Sequence, residues 1–596
     1  MNMKTRILVL SAGLLLSGST LGLAGEEPAV LFEPRPAQVI APRLEAKLAG
    51  VTSNEQIPVM VYFTDKGIRT QEDFNRAAIQ RKAQFTEHAL WRRAKVGRAD
   101  MDFMDLPVSR EHVQRIEALG ARLRVSLNWF NAATFEMTRE QVEQVSNLPF
   151  VRKMDLVVSF RRPLEPEVPE PELGSVSPPN EIHALNYGPS YWQIHQIRVD
   201  SCHDSSYCGR GVIMAMFDTG FRKNHVVFDS IRNSGRLIDQ HDFYTNRDTT
   251  DWGSHGTGTW SEAGGFRSGS LIGPAYGATW AIYRTEVVAW ERNIEEDYWA
   301  AALQRSDSLG VEVVSSSLAY KTFDTGQHNY GYRDMNGNTA ICSRAAKHAA
   351  NLGIIVCNAM GNSGPSDTSI LAPADADSIL SIGAVDSVGT IASFSSRGPT
   401  YDGRMKPEVC AKGVSDYWAS SSSRTAFSTA SGTSCSTPLV GGSCAIVLQA
   451  HPTWTPMQVR RALMMTASRH TNPDNNYGWG IIDVWAAIHY SQSAAEDDRI
   501  RVEKEHEFAL ASQPNPTAGA TTISFTLSSS GEASLAIFDV SGRLVRSLLS
   551  GERKPGRYVV RWDGRDESGL LVASGIYFYK LSTPERTQAG KLVVLR

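Results

Sequence analysis

Twice between residues 296 and 360 the chain runs from a helical pattern to a glycine and then to an apolar strand. EDYWAAALQRSDSLG ends on Gly310 and leads into VEVVSSSL; SRAAKHAANLG ends on Gly353 and leads into IIVCNAM. In the first helix Trp299, Ala302 and Leu303 share one face, and the glycine ends the helix without a Cβ penalty. VIMAMFD (212–218) and ADSILSIGAV (376–385) have the same apolar character. A strand that is apolar on both faces must be covered on both faces. Helices alternating with such strands therefore predict an α/β unit, a mainly parallel sheet between helix layers, from Tyr187 to about residue 491.

That unit is about half of the 596 residues. Single cores stop growing at roughly 250–300 residues, so further domains are expected. Residues 161–180, RRPLEPEVPEPELGSVSPPN, are dominated by proline and charge and read as a linker. Ahead of it, PVMVYF, a polar helical stretch around 72–95, SREHVQRIEALG, ARLRVSL, NAATFEM, TREQVEQVSNLP and VRKMDLV give strand, helix, helix, strand, strand, helix, strand, a small α+β domain. Residues 26–56, rich in proline and glutamate, read as a loose lead. In the tail ISFTL, ASLAIFDV, YVVRWDG, IYFYKL and KLVVLR are short alternating strands that predict a β-sandwich. The expected limits are 1–24, 25–56, 57–160, 161–186, 187–491, 492–507 and 508–596.

Lys4 and Arg6 precede an apolar run, Ile7 to Leu16, and Gly22-Leu23-Ala24 offers a cleavage-type end, so 1–24 reads as a signal peptide and the chain as secreted or attached at the cell surface. A net charge of −3 with no long basic run gives no support for a nucleic-acid partner. The seven cysteines lie between Cys202 and Cys444. In an exported chain Cys202, Cys208, Cys342, Cys357, Cys410 and Cys444 are disulfide candidates, their pairing open, and Cys435 is the one expected to stay unpaired. No CxxC or HxxxH spacing supports a metal site.

Four short segments carry chemistry. Phe217-Asp218-Thr219-Gly220 ends an apolar strand, where α/β sheets place their sites. Ser254-His255-Gly256-Thr257-Gly258 puts a histidine among small residues. Ser431-Gly432-Thr433-Ser434-Cys435-Ser436-Thr437-Pro438 leads into an apolar helix, so Ser434 falls at a helix N-terminus, where developing negative charge is favoured. Ala359-Met360-Gly361-Asn362 follows a buried strand, and its amide can donate to an oxyanion. Singly these are a turn, a Gly-rich loop, a cap and a turn. Together, in the order Asp, His, Ser, they form a nucleophile, base and orienting acid.

Residues 187–490 resemble subtilisin-like serine peptidases, the subtilases: FDTG, SHGTG, GTSCSTP and AMGN are similar to the family's Asp, His, Ser and oxyanion motifs. FSSRGP (394–399), KPEVCAKG (406–413) and YGWGIIDVWAA (477–487) match family landmarks. The resemblance implies a serine endopeptidase with Asp218, His255 and Ser434 as triad, Asn362 as oxyanion donor, and Ser315, Ser316, Ser317, Leu318 and Ala319 pairing with an extended protein or peptide substrate. It implies that 57–160 is an α+β, ferredoxin-like prodomain, chaperone and intramolecular inhibitor of a zymogen. No cofactor is required. Structural calcium is common in the family; Asp229, Asp242, Asp248, Asp251 and Glu295-Glu296-Asp297 are read as surface acids and no ligand is assigned. Three positions depart from the family: Gly258 stands where a second histidine is usual, Cys435 where methionine is frequent, and Ala319 where glycine is usual. The tail segments QPNPTAGATTISFTL, DVSGRLV, WDGRDESG, SGIYFYKL and GKLVVLR resemble the C-terminal sorting domain of type IX secretion cargo, which implies secretion machinery as a partner. The rival readings are an inactive subtilase used for binding or surface attachment, and an ester hydrolase.

Overall fold

The computed structural model describes residues 35–36, 38–157, 159–160, 183–250, 253–287, 291–292, 294–320 and 330–491, and, in the tail, 511–513, 517, 519–527, 531–540, 542–553, 556–583 and 587–595. The expected signal peptide and most of the linker lie outside them. The chain divides into two compact units, Met1–Pro456 with Ala467–Val484, and Met457–Thr466 with Trp485–Arg596.

The first unit begins with α1 (Pro42–Leu48), a correction to the loose lead. Proline stands in its first turn, where the missing N–H costs least, and Leu44 and Leu48, one turn apart, join the core. Then come β1 (Ile57–Phe63), α2 (Gln71–Lys82), α3 (Glu87–Ala94), α4 (Arg110–Glu117), β2 (Arg122–Leu127), β3 (Ala132–Met137), α5 (Arg139–Ser146), β4 (Val151–Leu156) and β5 (Ser159–Phe160). The stretch expected as one helix breaks in two because Thr86 caps a new start, accepting from Ala89 N. The four longer strands form an antiparallel sheet in the order β2-β3-β1-β4.

The α/β part follows as α6 (Tyr191–His195), α7 (Val199–Asp204), β6 (Ile213–Asp218), α8 (Asp229–Asn233), β7 (Leu237–Asp242), α9 (Ser254–Gly264), β8 (Phe266–Arg267), β9 (Leu271–Ile272), β10 (Thr279–Arg284), β11 (Glu291–Arg292), α10 (Ile294–Leu309), β12 (Val313–Ser316), α11 (Ile341–Asn351), β13 (Ile355–Ala359), β14 (Leu380–Val385), β15 (Val409–Lys412), β16 (Asp416–Ala419), β17 (Phe427–Ala430) and α12 (Thr433–Ala450). Seven strands make one parallel sheet, β15-β14-β13-β12-β6-β10-β7, the subtilisin-like α/β arrangement. Helix α12 packs across β12 to β15; Gly441 allows the approach, since a Cβ there would stand 3.0 Å from Ser315 Cβ.

The N-terminal sheet and α3 pack on α10, and the two parts share a core. Arg92 and Arg93 of α3 are fully buried against Asp307 of α10. Arg93 Nε and a terminal nitrogen reach its carboxylate at 2.9 and 2.5 Å, Arg92 bonds it too, and Asp105 takes the other side of Arg93. Thr86 Oγ1 and N donate to the carbonyls of Leu309 and Ser308, so residues before the linker cap the end of α10. The first-turn acids of α10 are not surface groups: Glu295, Glu296 and Asp297 are at most 1% exposed. Glu295 accepts from Val287 N, Glu296 from Tyr330 and Cys342, and Asp297 from Thr134 of β3. Asp242 is equally buried and binds Arg284. Asp229 and Asp248 pair with arginines, and Asp251 lies outside the described residues.

The seven cysteines are buried free thiols, so the disulfide expectation is not met. The Sγ atoms of Cys357 and Cys444 lie 3.7 Å apart, a thiol contact rather than a bond.

The second unit takes all but the first residue of α13 (Pro456–Met465) and of α14 (Val484–Ile488), and contains β18 (Ala511–Gln513), β19 (Thr521–Leu527), β20 (Gly531–Asp539), β21 (Leu544–Arg553), β22 (Gly556–Trp562), β23 (Gly575–Ser582) and β24 (Thr587–Val594). The strands form antiparallel sheets β18-β19-β22 and β21-β20-β23-β24 around one core that includes Phe525, Ile537, Trp562 and Leu581. Strands β18 and β21 add to the five the sequence pattern predicted.

Candidate active site

Asp218 is the last residue of β6, at the carboxyl edge of the sheet, and is fully buried. Its Oδ1 accepts from Thr219 N at 2.7 Å and faces His255 Nδ1 at 2.7 Å; Oδ2 accepts from Thr259 Oγ1 at 2.9 Å. His255 and Thr259 lie one turn apart on α9, so one helix face supplies both partners of the carboxylate. Gly256 permits this: a Cβ there would stand 2.3 Å from Gly220 O and 2.9 Å from Asp218 Cβ. With Nδ1 facing Asp218, Nε2 is the nitrogen left to act on a proton.

Ser434 is the second residue of α12, after Gly432 at the cap position. Its Oγ donates to Ser317 O at 3.3 Å, and Ser317 Oγ donates to Ser434 O at 2.9 Å. It lies in the first turn of an 18-residue helix, at the positive end of the helix dipole. Asn362 follows Gly361, whose φ of +100° and whose neighbour Leu371, 2.2 Å from a built Cβ, admit only glycine. Asn362 Oδ1 accepts from Thr433 N at 2.9 Å and from Thr433 Oγ1 at 3.0 Å. Anchoring the amide oxygen fixes which way Nδ2 turns.

The side chain absent at Gly258 is replaced by an aromatic ring. A Cβ on Gly258 would stand 2.2 Å from Trp418 Cε3. The same ring meets His255 edge-on, with centroids 5.9 Å apart, and clusters with buried Cys435. Trp418 thus links the α9 histidine to the residue after Ser434. Deeper in α9, burial and then the charge of Asp416 push the Glu262 carboxyl well above its usual range.

The expected substrate strand is corrected in part. Ser315 and Ser316 belong to β12, paired with Met216 and Phe217 of β6 on one side and with Cys357 and Asn358 of β13 on the other. With both edges taken, they cannot pair with a peptide. Ser317, Leu318 and Ala319 lie beyond the strand, Leu318 O accepting from Asn358 Nδ2 and Tyr320 bridging to Ala372. A pairing edge appears elsewhere: β11 carries β5, antiparallel, with Glu291 opposite Phe160. Thr259, Thr433 and Trp418 were not singled out from the sequence. Thr433 stands inside the Ser431–Pro438 segment and Thr259 one residue beyond the histidine segment, four after His255; Trp418 left no trace there.

The subtilase family profile matches residues 209–480. A subtilisin of Bacillus pumilus is 31% identical over 298 residues, covering 49% of this chain and 97% of that protein. The chain belongs to the subtilase family. Serine protease AprX of Bacillus subtilis is 29% identical over 306 residues, 46% of this chain and 65% of that one. The crystal structure of MycP1 with its N-terminal propeptide removed aligns with a TM-score of 0.42 at 22% identity, over 50% of this chain and 97% of that one. A peptidase S8 propeptide profile of Bacteroidota matches residues 58–171, and a FlgD Ig-like profile matches 512–586. This subtilase is therefore a subtilisin-like serine endopeptidase carrying a propeptide.

Proposed function

We propose that this subtilase is made as a secreted zymogen and hydrolyses peptide bonds through Asp218, His255 and Ser434. The observation that carries the reading is the 2.7 Å contact between the buried Asp218 carboxylate and His255 Nδ1, with Ser434 at the mouth of α12 and Asn362 held beside it by Thr433. His255 Nε2 takes the Ser434 Oγ proton as Oγ bonds to the scissile carbonyl carbon. Asp218 keeps the tautomer and offsets the charge of the imidazolium. Asn362 Nδ2 and the Ser434 N–H receive the oxyanion. The imidazolium then protonates the leaving amine, and water releases the acyl-enzyme.

The segment 57–160 serves as the intramolecular inhibitor. Two observations support this: the strand order β2-β3-β1-β4, which is that of a ferredoxin-like fold, and the pairing of β5 with β11. An extended substrate would add to the same β11 edge once β5 leaves, strand addition supplying main-chain hydrogen bonds. Cleavage within 161–186 frees the peptidase. The signal-type sequence at 1–24 and the Ig-like tail support export, with the tail as a sorting or attachment module. Fluorophosphonate labelling of the activated protein tests the chemistry: an adduct on Ser434, absent from Ser434→Ala, together with casein cleavage is expected. No adduct, or turnover of small esters without casein cleavage, overturns it.

A further inference from the structure

His183, the first described residue after the linker, stands beside two short helices of the peptidase part. Its Nδ1 faces Asp204 Oδ2 of α7 at 2.8 Å, and Asp204 Oδ1 accepts from Ala184 N at 2.9 Å. Its Nε2 faces Asp200 Oδ2 at 3.3 Å. The same oxygen lies 2.6 Å from Nδ1 of His195, the last residue of α6. The Asp200 side chain is 1% exposed, and the candidate ligand atoms of the three residues all lie within 4.8 Å of one another. The Tyr191 ring stacks on His195, centroids 4.9 Å apart, and fixes its plane.

The proton count makes this arrangement informative. A histidine with one proton, given from Nδ1 to Asp204, presents a lone pair from Nε2. That lone pair faces the lone pairs of a buried carboxylate oxygen. The contact is favourable only if a further proton or a metal cation stands between the two atoms. A carboxylate behind the far nitrogen of a histidine is also the usual outer support of a metal ligand. Metal–ligand bonds of about 2.1 Å in a tetrahedral site put ligand atoms about 3.4 Å apart. The Nε2 to Oδ2 separation is already 3.3 Å, and the 2.6 Å contact needs to open by less than about 1 Å.

We propose that His183, His195 and Asp200 bind a divalent transition-metal cation of the zinc class, with Asp204 as outer support and water completing the shell. Two imidazole nitrogens and one carboxylate favour such a cation over calcium, which takes six to eight oxygens. The cation clips the segment after the linker onto α6 and α7. Cleavage anywhere in 161–182, the part of the 161–186 processing region ahead of His183, leaves His183 on the peptidase side, and the clip then holds the new N-terminal segment after activation.

The test uses the untagged full chain carrying Ser434→Ala, which blocks self-cleavage, stripped with chelator and titrated with zinc chloride by calorimetry. One equivalent is expected that His183→Ala and Asp200→Asn each lose or weaken at least tenfold. Zinc should raise the unfolding temperature of the parent and not of these variants. His195→Gln, the mildest change, guards against misfolding and should lose the same equivalent while keeping the parent's far-ultraviolet dichroism. Equal zinc binding in parent and variants, no zinc binding at all, or an equivalent of calcium in place of zinc overturns the proposal.

Discussion

Replacing Asp307 with asparagine should release the prodomain. In the zymogen this carboxylate is 1% exposed and is the shared anion of Arg92 and Arg93, both fully buried. Arg92 also donates to Val311 O at 2.7 Å and Leu352 O at 3.2 Å, so it cannot swing out to water without breaking further bonds. Asparagine keeps the shape and removes the charge, leaving Arg93 paired with Asp105 and the buried Arg92 guanidinium bonded to backbone carbonyls. Breaking a buried ion pair by removing one partner costs about 3–5 kcal/mol. At 1.36 kcal/mol per factor of ten, that is roughly two to four powers of ten in prodomain affinity. Among the described residues the arginines bonded to Asp307 both come from α3 and leave with the prodomain, so the cost falls on the complex. The assay follows the activation lag of the zymogen and inhibition by the cleaved prodomain, with kcat and KM on a peptide substrate as the control. A shorter lag, a Kd at least a hundredfold weaker and unchanged turnover are expected. Adding Arg92→Met should recover part of the affinity, because its uncompensated charge is then gone while Arg93 keeps Asp105. An unchanged lag and Kd in Asp307→Asn would refute the claim that this cluster holds the inhibitor.

Asn362→Ala should lower kcat by about 10²–10³ with little change in KM, since the lost donor acts on the oxyanion and not on bound substrate; a change confined to KM would count against that role. Acid should loosen the prodomain: burial pushes Glu312 up, but His88 and Lys95 outweigh it and hold its pKa below the ordinary 4.5. A depressed carboxylate pKa means stabilisation present above about 4.5 and lost as pH falls through the depressed value, so the cleaved prodomain should dissociate faster as pH falls below that range, and less so in Glu312→Gln. Gly258→Ala should cost about 1–3 kcal/mol of overpacking against Trp418 and reduce turnover, both relieved by Trp418→Gly in the same chain; additive losses in the pair, measured by thermal unfolding and kcat/KM, would sever the proposed contact.

The parallel sheet is legible in the sequence because a strand buried on both faces has no polar side, and VIMAMFD and IIVCNAM have almost none. Asp218, His255, Asn362 and Ser434 are legible because each needs its neighbours: Gly256 for close approach to Asp218, Gly361 for its positive φ, Gly432 ahead of a helix start. What periodicity lacks is the order of strands across the sheet. Nothing in SSSLAY says that β12 falls between β6 and β13, so the pairing edge could not be separated from the strand interior. The acids Glu295, Glu296 and Asp297 read as surface because only tertiary packing puts β3, Tyr330 and Cys342 over them. His183, His195 and Asp200 carry no helical spacing at all, since they sit on a loop and two separate helices.

Two of the three departures from the family share one physical cause. The ring of Trp418 fills the volume that a side chain at residue 258 would need, so glycine there is a condition of the tryptophan and not a lost function. The same ring, tied by Nε1 to Ser428 Oγ at 3.0 Å, packs on buried Cys435, where a longer side chain would compete with it for room. It also stands perpendicular to the His255 imidazole and limits its tilt. Gly258, Trp418 and Cys435 are therefore one packing solution, and a change at any one of them has to be read through the other two.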